Sequence, residues 1–212
     1  MRDLRVRRTL EEDGRPYAVR FLSQGAQKRA SHRALQPFGQ VPTQEEGDLA
    51  LFESGAIVWH IAGRFPGLMP TDAAARAKSL VGLCGADTPE PPIMDHPIAT
   101  LFEADKPWSV PRLPSVRARI EKRLGEAADR LGDAEWFGGS FGAGNLLMIS
   151  VLRIIDGQDM LRPWPNLAAN VAHGTSRGAF RALADHMAGF TGTAPDEFLE
   201  WQRQMEAKAQ IT

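Results

Sequence analysis

One cysteine, one tyrosine and almost no net charge set this 212-residue chain apart by what it lacks. The lone Cys84 excludes an internal disulfide and suits a reducing cytoplasm. Its expected place is in packing, as a small buried apolar residue, with a reactive thiol the lesser option. A formal charge of −1 supplies no field for nucleic acid or other polyanions. No apolar run approaches the roughly 18 residues that cross a bilayer, so no membrane partner is expected, and no signal-peptide pattern is visible. The five histidines, His32, His60, His96, His173 and His186, show no metal-ligand spacing, and structural or surface roles are expected for them.

What is present is an ordinary globular composition, 43% hydrophobic and 24% charged, arranged in two textures. Residues 1–66 mix short strand patterns with short helices; residues 71–212 read as helices separated by Pro and Gly. The join, F-P-G-L-M-P-T-D from Phe65 to Asp72, has the composition of a linker. In the first half a helix is expected from Leu4 to Asp13, with Asp3 as its N-cap and Gly14 as its stop. Arg2, Arg5, Arg7 and Arg8 are followed by Glu11, Glu12 and Asp13. The four-residue pairs Arg7–Glu11 and Arg8–Glu12 predict a solvated helical face. Alternation over Tyr17–Leu22 predicts a strand. Val41–Gln44 and Leu49–Phe52 should form a hairpin around E-E-G-D, and Ser54 should cap a helix that buries Ile57, Val58 and Ile61.

In the second half, helices are expected from Thr71 to about Cys84 and then, after a bend at T-P-E-P-P-I, on to Phe102. Further helices are expected over Leu113–Leu131, Leu146–Ile155, Pro165–His173 and Arg177–Phe190, with an amphipathic tail from Asp196. Leu146–Ile155 is apolar all round, which predicts a buried central helix. Trp59, Trp136 and Trp164 read as packing. G-G-S-F-G-A-G, Gly138–Gly144, lacks the spacing of a phosphate loop and reads as a connection into that helix.

The stretch from Phe38 to Ile57 carries the chemistry. A proline directly after Val41 belongs at a strand edge or start, and an X-Pro bond there can be cis. A cis Pro42 would turn the N–H and C=O of Val41 outward, free to pair with an extended peptide. Glu53-Ser54 at a helix start offers free N–H groups, a hydroxyl and the helix dipole to a carboxylate, and Glu53 offers a charge to an ammonium. Together these fittings describe a short peptide with an amino-acid head group.

Q-P-F-G-Q-V-P (Gln36–Pro42) followed by D-L-A-L-F-E-S-G-A-I (Asp48–Ile57) resembles the glutathione-binding half of bacterial-type cytosolic glutathione S-transferases. V-R-R-T-L-E-E-D-G-R-P-Y (Val6–Tyr17), E-W-F-G-G-S-F-G-A-G-N-L-L-M-I-S-V-L (Glu135–Leu152) and P-N-L-A-A-N-V (Pro165–Val171) extend the resemblance over nearly the whole chain. It implies an α+β two-domain fold. A thioredoxin-like α/β domain over residues 1–66, with its first strand missing, precedes an all-helical bundle domain over residues 71–212. It further implies that Val41 pairs by its backbone with the cysteinyl part of glutathione, that Pro42 is cis, and that Gln40 reaches the tripeptide. Glu53 and Ser54 would hold the γ-glutamyl end. Glutathione would be the co-substrate, a small hydrophobic electrophile the acceptor, detoxification the setting and a homodimer the assembly. Met94, Phe102 and Trp108 would wall the electrophile or simply pack the core.

The family's activating Ser, Tyr or Cys follows a first strand that has no counterpart here, so the catalytic residue is unknown. A free thiol of pKa about 8.5 is only a few per cent thiolate at pH 7. The absent donor would supply about 1.36 kcal/mol for each pKa unit of depression. Thr9 and Ser23 do not match the motif, and Tyr17 falls on the following strand. The expectation is a fuller chain that begins upstream of Met1, which mass spectrometry of the native protein tests. Its rival is a remodelled domain without activity. Two other functions stay open: a catalytically silent binding or interaction protein, and a glutathione-dependent isomerase or reductase. A smaller departure is Gly142 and Asn145 at the start of the central helix, where the family has a capping box.

Overall fold

Three arginines in a short helix would ordinarily be left to water. In the computed structural model, which describes residues 2–22 and 25–180, Arg5, Arg7 and Arg8 of helix α1 (Asp3–Glu12) are 4%, 5% and 2% exposed. The expected solvated face is wrong, because α1 is enclosed on two sides by helices that its own periodicity cannot reveal. Val6 faces Ile57 and Ile61 in a small apolar cluster; Arg5 and Arg8 face the helical half, and Arg7 faces Tyr17. The Arg8–Glu12 pair does form, at 3.6 Å. Glu11 instead accepts a 2.8 Å hydrogen bond from the Tyr17 hydroxyl. Arg2, not Asp3, occupies the N-cap; Asp3 lies in the first turn, where its charge complements the helix dipole. Gly14, at φ 62°, turns the chain away as expected.

The strand expected over Tyr17–Leu22 does not form. The sheet has two antiparallel strands, β1 (Thr43–Glu46) and β2 (Leu49–Phe52), with Thr43 opposite Phe52 and Glu46 opposite Leu49. An alternating segment becomes a strand only beside a neighbour with matching N–H and C=O groups. No described strand pairs with residues 17–22. The Arg20 and Glu45 side chains nevertheless form an ion pair between that segment and β1. The first hairpin strand starts at Thr43 rather than Val41. The Val41–Pro42 bond is cis, and Pro42 has no N–H to give the ladder. Gly47, at φ 59°, opens the two-residue hairpin loop. Between α1 and the hairpin stands the short helix α2 (Ala30–Arg33).

Helix α3 (Ser54–Arg64) buries Ile57, Val58 and Ile61, as its spacing requires. Asp72 then caps α4 (Ala73–Gly85), its Oδ1 accepting from the Ala75 N–H at 2.8 Å. Pro91 and Pro92 lie in the first turn of α5 (Glu90–Pro97), where prolines cost no intrahelical bond, so they start a helix instead of bending one. That helix passes into a π turn at Ile98–Phe102. Helix α6 (Ser109–Leu131) starts earlier than expected, with Pro114 inside it. Helix α7 (Ala143–Asp156) buries ten of its fourteen residues and is the centre of the helical half. Helices α4 and α8 (Pro165–Ser176) pack against it. Most of the helix expected at 177–190, and the tail from Asp196, lie outside the described residues. The architecture is an α/β half with thioredoxin-like character followed by a helical half, as the sequence predicts.

Candidate functional site

Glu53 ends the hairpin and is held at φ 68°, ψ 112°, a conformation that costs a side-chain-bearing residue on the order of 1–3 kcal/mol. This strained residue, not Ser54, is the N-cap of α3; Ser54 is the first helical residue and is 5% exposed. No side chain caps the helix, so its first N–H groups are left to whatever lies in front of them.

In front of them is a cavity of about 530 Å³ where the starts of α1 and α3 meet α4 and α5. Arg2 and Arg5 line it from α1, and Glu90 from α5. Arg5 Nη2 lies 2.9 Å from Glu90 Oε1, and Arg2 Nε donates to the same oxygen at 2.9 Å. Two guanidiniums sharing one carboxylate leave one positive charge in excess on this wall. Arg5 Nη1 also donates to Ser54 Oγ at 3.4 Å. Positive charge, a hydroxyl and free helix N–H groups together suit a carboxylate. Glu53 and Asp87, on the same cavity, suit an ammonium. Arg5 and Glu90 were not among the sequence-derived candidates. Arg5 carried a signal, since Arg7 and Arg8 have acids four residues on whereas Arg5 has Thr9. Glu90, between prolines and 85 positions away, carried none.

A second cavity, of about 1050 Å³, lies between residues 15–22 and β1, with Val6, Leu10, Ile61 and Phe65 among its apolar lining. Val41 and Pro42 line this one. Val41 is 49% exposed. Gln40 borders neither cavity: its carbonyl accepts from His32 Nε2 at 2.7 Å and its N–H donates to Gln36 Oε1 at 3.0 Å. The five predicted residues are therefore divided, two on each cavity and one on neither. The divide is narrow. The register sets Thr43 opposite Phe52, so Pro42 and Glu53 are the residues next beyond the paired ends.

Cys84 is exposed and lines the first cavity, against the expectation of burial. Its helix turns it away from the packed Leu83, a distinction that residue type does not encode. The Tyr17 hydroxyl is committed to Glu11, and burial raises its pKa above the usual phenol value. Thr9 Oγ1 donates to the Arg5 carbonyl at 2.8 Å, inside α1. Met94, Phe102 and Trp108 are 37%, 51% and 52% exposed, so they are not core, and they border neither of these two cavities. At α7, Gly142 is the N-cap, and Asn145 binds the preceding loop. It accepts from the Phe137 N–H at 2.8 Å and donates to the Phe137 and Ser140 carbonyls, each at 3.0 Å.

Residues 1–63 match the family model described as glutathione S-transferase, N-terminal domain. Glutathione S-transferase 4 of Zea mays is 48% identical over 54 residues, which cover 24% of this chain and 24% of that protein. Glutathione S-transferase PARB of Nicotiana tabacum is 51% identical over 41 residues, 19% of each chain. The matched stretch thus spans a quarter or less of those relatives' length. Among solved structures, glutathione transferase F2 of Populus trichocarpa superimposes with a TM-score of 0.79 at 19% identity, covering 89% of this chain and 94% of that one. A glutathione transferase of Burkholderia graminis, with two glutathione molecules bound per subunit, gives 0.75 at 23% identity over 85% and 82%. Such identities establish shape, and the family model establishes the first domain. Residues 1–63 therefore carry the glutathione S-transferase N-terminal domain, in a chain whose two-domain fold is that of solved glutathione transferases.

Proposed function

We propose that this protein binds glutathione and conjugates its thiolate to a small hydrophobic electrophile. The observation that carries the reading is the uncapped start of α3, where Ser54 and Glu53 border a cavity that also holds the net-positive Arg2–Arg5–Glu90 cluster. The γ-glutamyl carboxylate lies on Ser54 and the first α3 N–H groups, and its ammonium on Glu53. The chain of the tripeptide then crosses toward Val41 and Pro42, with Gln40 at the edge. Residues 1–66 supply this site, and residues 71–212 face the electrophile. The large apolar side chains exposed at Phe38, Val81 and Val110 support a homodimer, and the single free thiol supports a cytoplasmic setting.

One observation favours a silent binder as the second reading. Among the described residues, Ser54 is the one hydroxyl on the first cavity, and Tyr17 and Thr9 are committed elsewhere. Calorimetric titration with glutathione, followed by a conjugation assay with 1-chloro-2,4-dinitrobenzene, separates the two. Binding with conjugate formation supports the transferase. Binding without conjugate supports the silent binder, and a folded chain that binds nothing overturns both.

A further inference from the structure

An extended backbone carries N–H and C=O groups along both edges, and an edge left unpaired is a template for another strand. Two such edges border the second cavity. All four residues of β1 line it and no residue of β2 does, so β1 turns its unpaired edge inward. Tyr17–Arg20 lines the same cavity, and no backbone hydrogen bond joins those residues to any described residue. Their burial already alternates as in a strand, with Tyr17 and Val19 half-buried and Ala18 and Arg20 exposed. The Arg20–Glu45 ion pair ties the two rims together. Buried Val6 and Ile61, with Leu10 and Phe65, give the cavity an apolar floor. Gln44, on the same cavity, has its Oε1 buried without a hydrogen-bond partner among the described residues.

We propose that the second cavity accepts a strand: an extended segment of a partner polypeptide enters between Tyr17–Arg20 and β1, completing a four-stranded sheet. A small molecule can match a few of these groups. A row of donors and acceptors repeating at every second residue on both rims fits another backbone. The apolar floor calls for Val, Ile or Leu at alternate positions of the entering segment. With four residues on each rim, the paired length is about four to six residues. This strand site is independent of the glutathione reading, which is carried by the first cavity.

The test uses the full chain and a fluorescein-labelled octapeptide in which valine and threonine alternate between terminal lysines. Its anisotropy should rise saturably with added protein. An analogue with every valine N-methylated cannot donate from those positions and should bind at least about tenfold more weakly, the size of one or two lost hydrogen bonds. Bound peptide should slow amide hydrogen exchange in Tyr17–Arg20 and β1 by about tenfold or more. Neighbouring N–H groups of a strand face opposite edges. Of Ala18→Pro and Val19→Pro, one should therefore weaken the peptide and the other leave it within about threefold. Proline at these positions breaks no backbone bond to a described residue. Where a variant still fails to fold, the exchange map of the native chain decides. Undiminished binding of the N-methylated peptide, equal effects of the two prolines, protection confined to other elements, or no saturable binding would each overturn the proposal.

Discussion

Arg8 Nη2 donates a 2.7 Å hydrogen bond to the carbonyl of Gly174, joining the first helix to α8 across 166 positions of chain. The same guanidinium faces Glu12, and Glu12 holds Arg177 through both oxygens, with bonds of 2.9 and 2.7 Å. Arg8 and Arg177 also lie over the Phe141 ring, at 5.6 and 3.9 Å. Burial lowers the Arg8 pKa to about 10, with Glu12 opposing the shift. Arg8→Met should therefore destabilise the protein by about 3 kcal/mol in urea unfolding, since it strips a buried partner from Glu12 and the Gly174 carbonyl. A loss below about 1 kcal/mol would show that this contact does not fasten the two halves.

Stability should fall on mild acidification, through His96. Its ring is buried on α5, neither nitrogen has a hydrogen-bond partner among the described residues, and its pKa is lowered, first by burial and then by Arg117. The unfolded chain takes up this proton near pH 6.5, whereas the folded chain takes it up only at lower pH. Below about 6.5 the unfolded state thus binds more protons, and stability declines as pH falls until the folded group also titrates. Between pH 7.5 and 5 the native protein should lose more stability than His96→Leu, each pKa unit of depression counting for about 1.4 kcal/mol. Equal losses in the two proteins would dispose of the argument.

Two glycines should respond differently to the same methyl group. A Cβ at Gly174 would lie 2.2 Å from Ile149 Cδ1, whereas one at Gly144 would lie 2.9 Å from the backbone carbonyl carbon of Gly82. Both alanine variants should lose about 1–3 kcal/mol through overpacking. Ile149→Val should recover part of the loss for Gly174→Ala. No side-chain trimming should recover Gly144→Ala, whose obstacle is backbone. Denaturant midpoints of the single and double variants decide this.

Cutting the bonds of Asn145 should free the loop before α7. Asn145→Ala leaves the Phe137 N–H and the Phe137 and Ser140 carbonyls without these partners, at about 1–3 kcal/mol for each group that stays buried. Asn145→Asp keeps the acceptor but loses both donors, so it should fall between the alanine variant and the native protein in urea unfolding.

Cys84 should react once per chain with a disulfide reagent in the folded protein, because it is exposed. S-methylglutathione, which has no thiol of its own, should slow that reaction if glutathione occupies the cavity that Cys84 lines. An unchanged rate at saturating ligand would place glutathione elsewhere.

Local signals were read well where local forces decide. Leu49–Phe52 is a strand with the expected bounds, Asp72 starts α4, and the all-apolar run at Leu146–Ile155 is the buried helix it promised to be. The failures share one cause, dependence on distant chain. Tyr17–Leu22 has strand alternation but no described ladder partner. Arg7 and Arg8 of α1 have helical spacing to acids, yet the packing of α1 against α3 and α7 removes them from water. Of the candidate site, the cis bond at Val41–Pro42 and the helix start at Glu53–Ser54 were legible because each lies in a short run. Glu90, which anchors Arg5, was not, because nothing near it in sequence refers to α1.

The connection between the halves is itself pinned. Leu68 and Met69 are buried in the helical core, and the Leu68 carbonyl accepts the Ala143 N–H at 3.0 Å, while the neighbouring Pro66 and Gly67 are exposed. A protease that clips at Pro66–Gly67 would therefore sever the polypeptide without separating its pieces. The fragments, clasped by α1 between α3 and α7, should travel together through a sizing column and part only in denaturant.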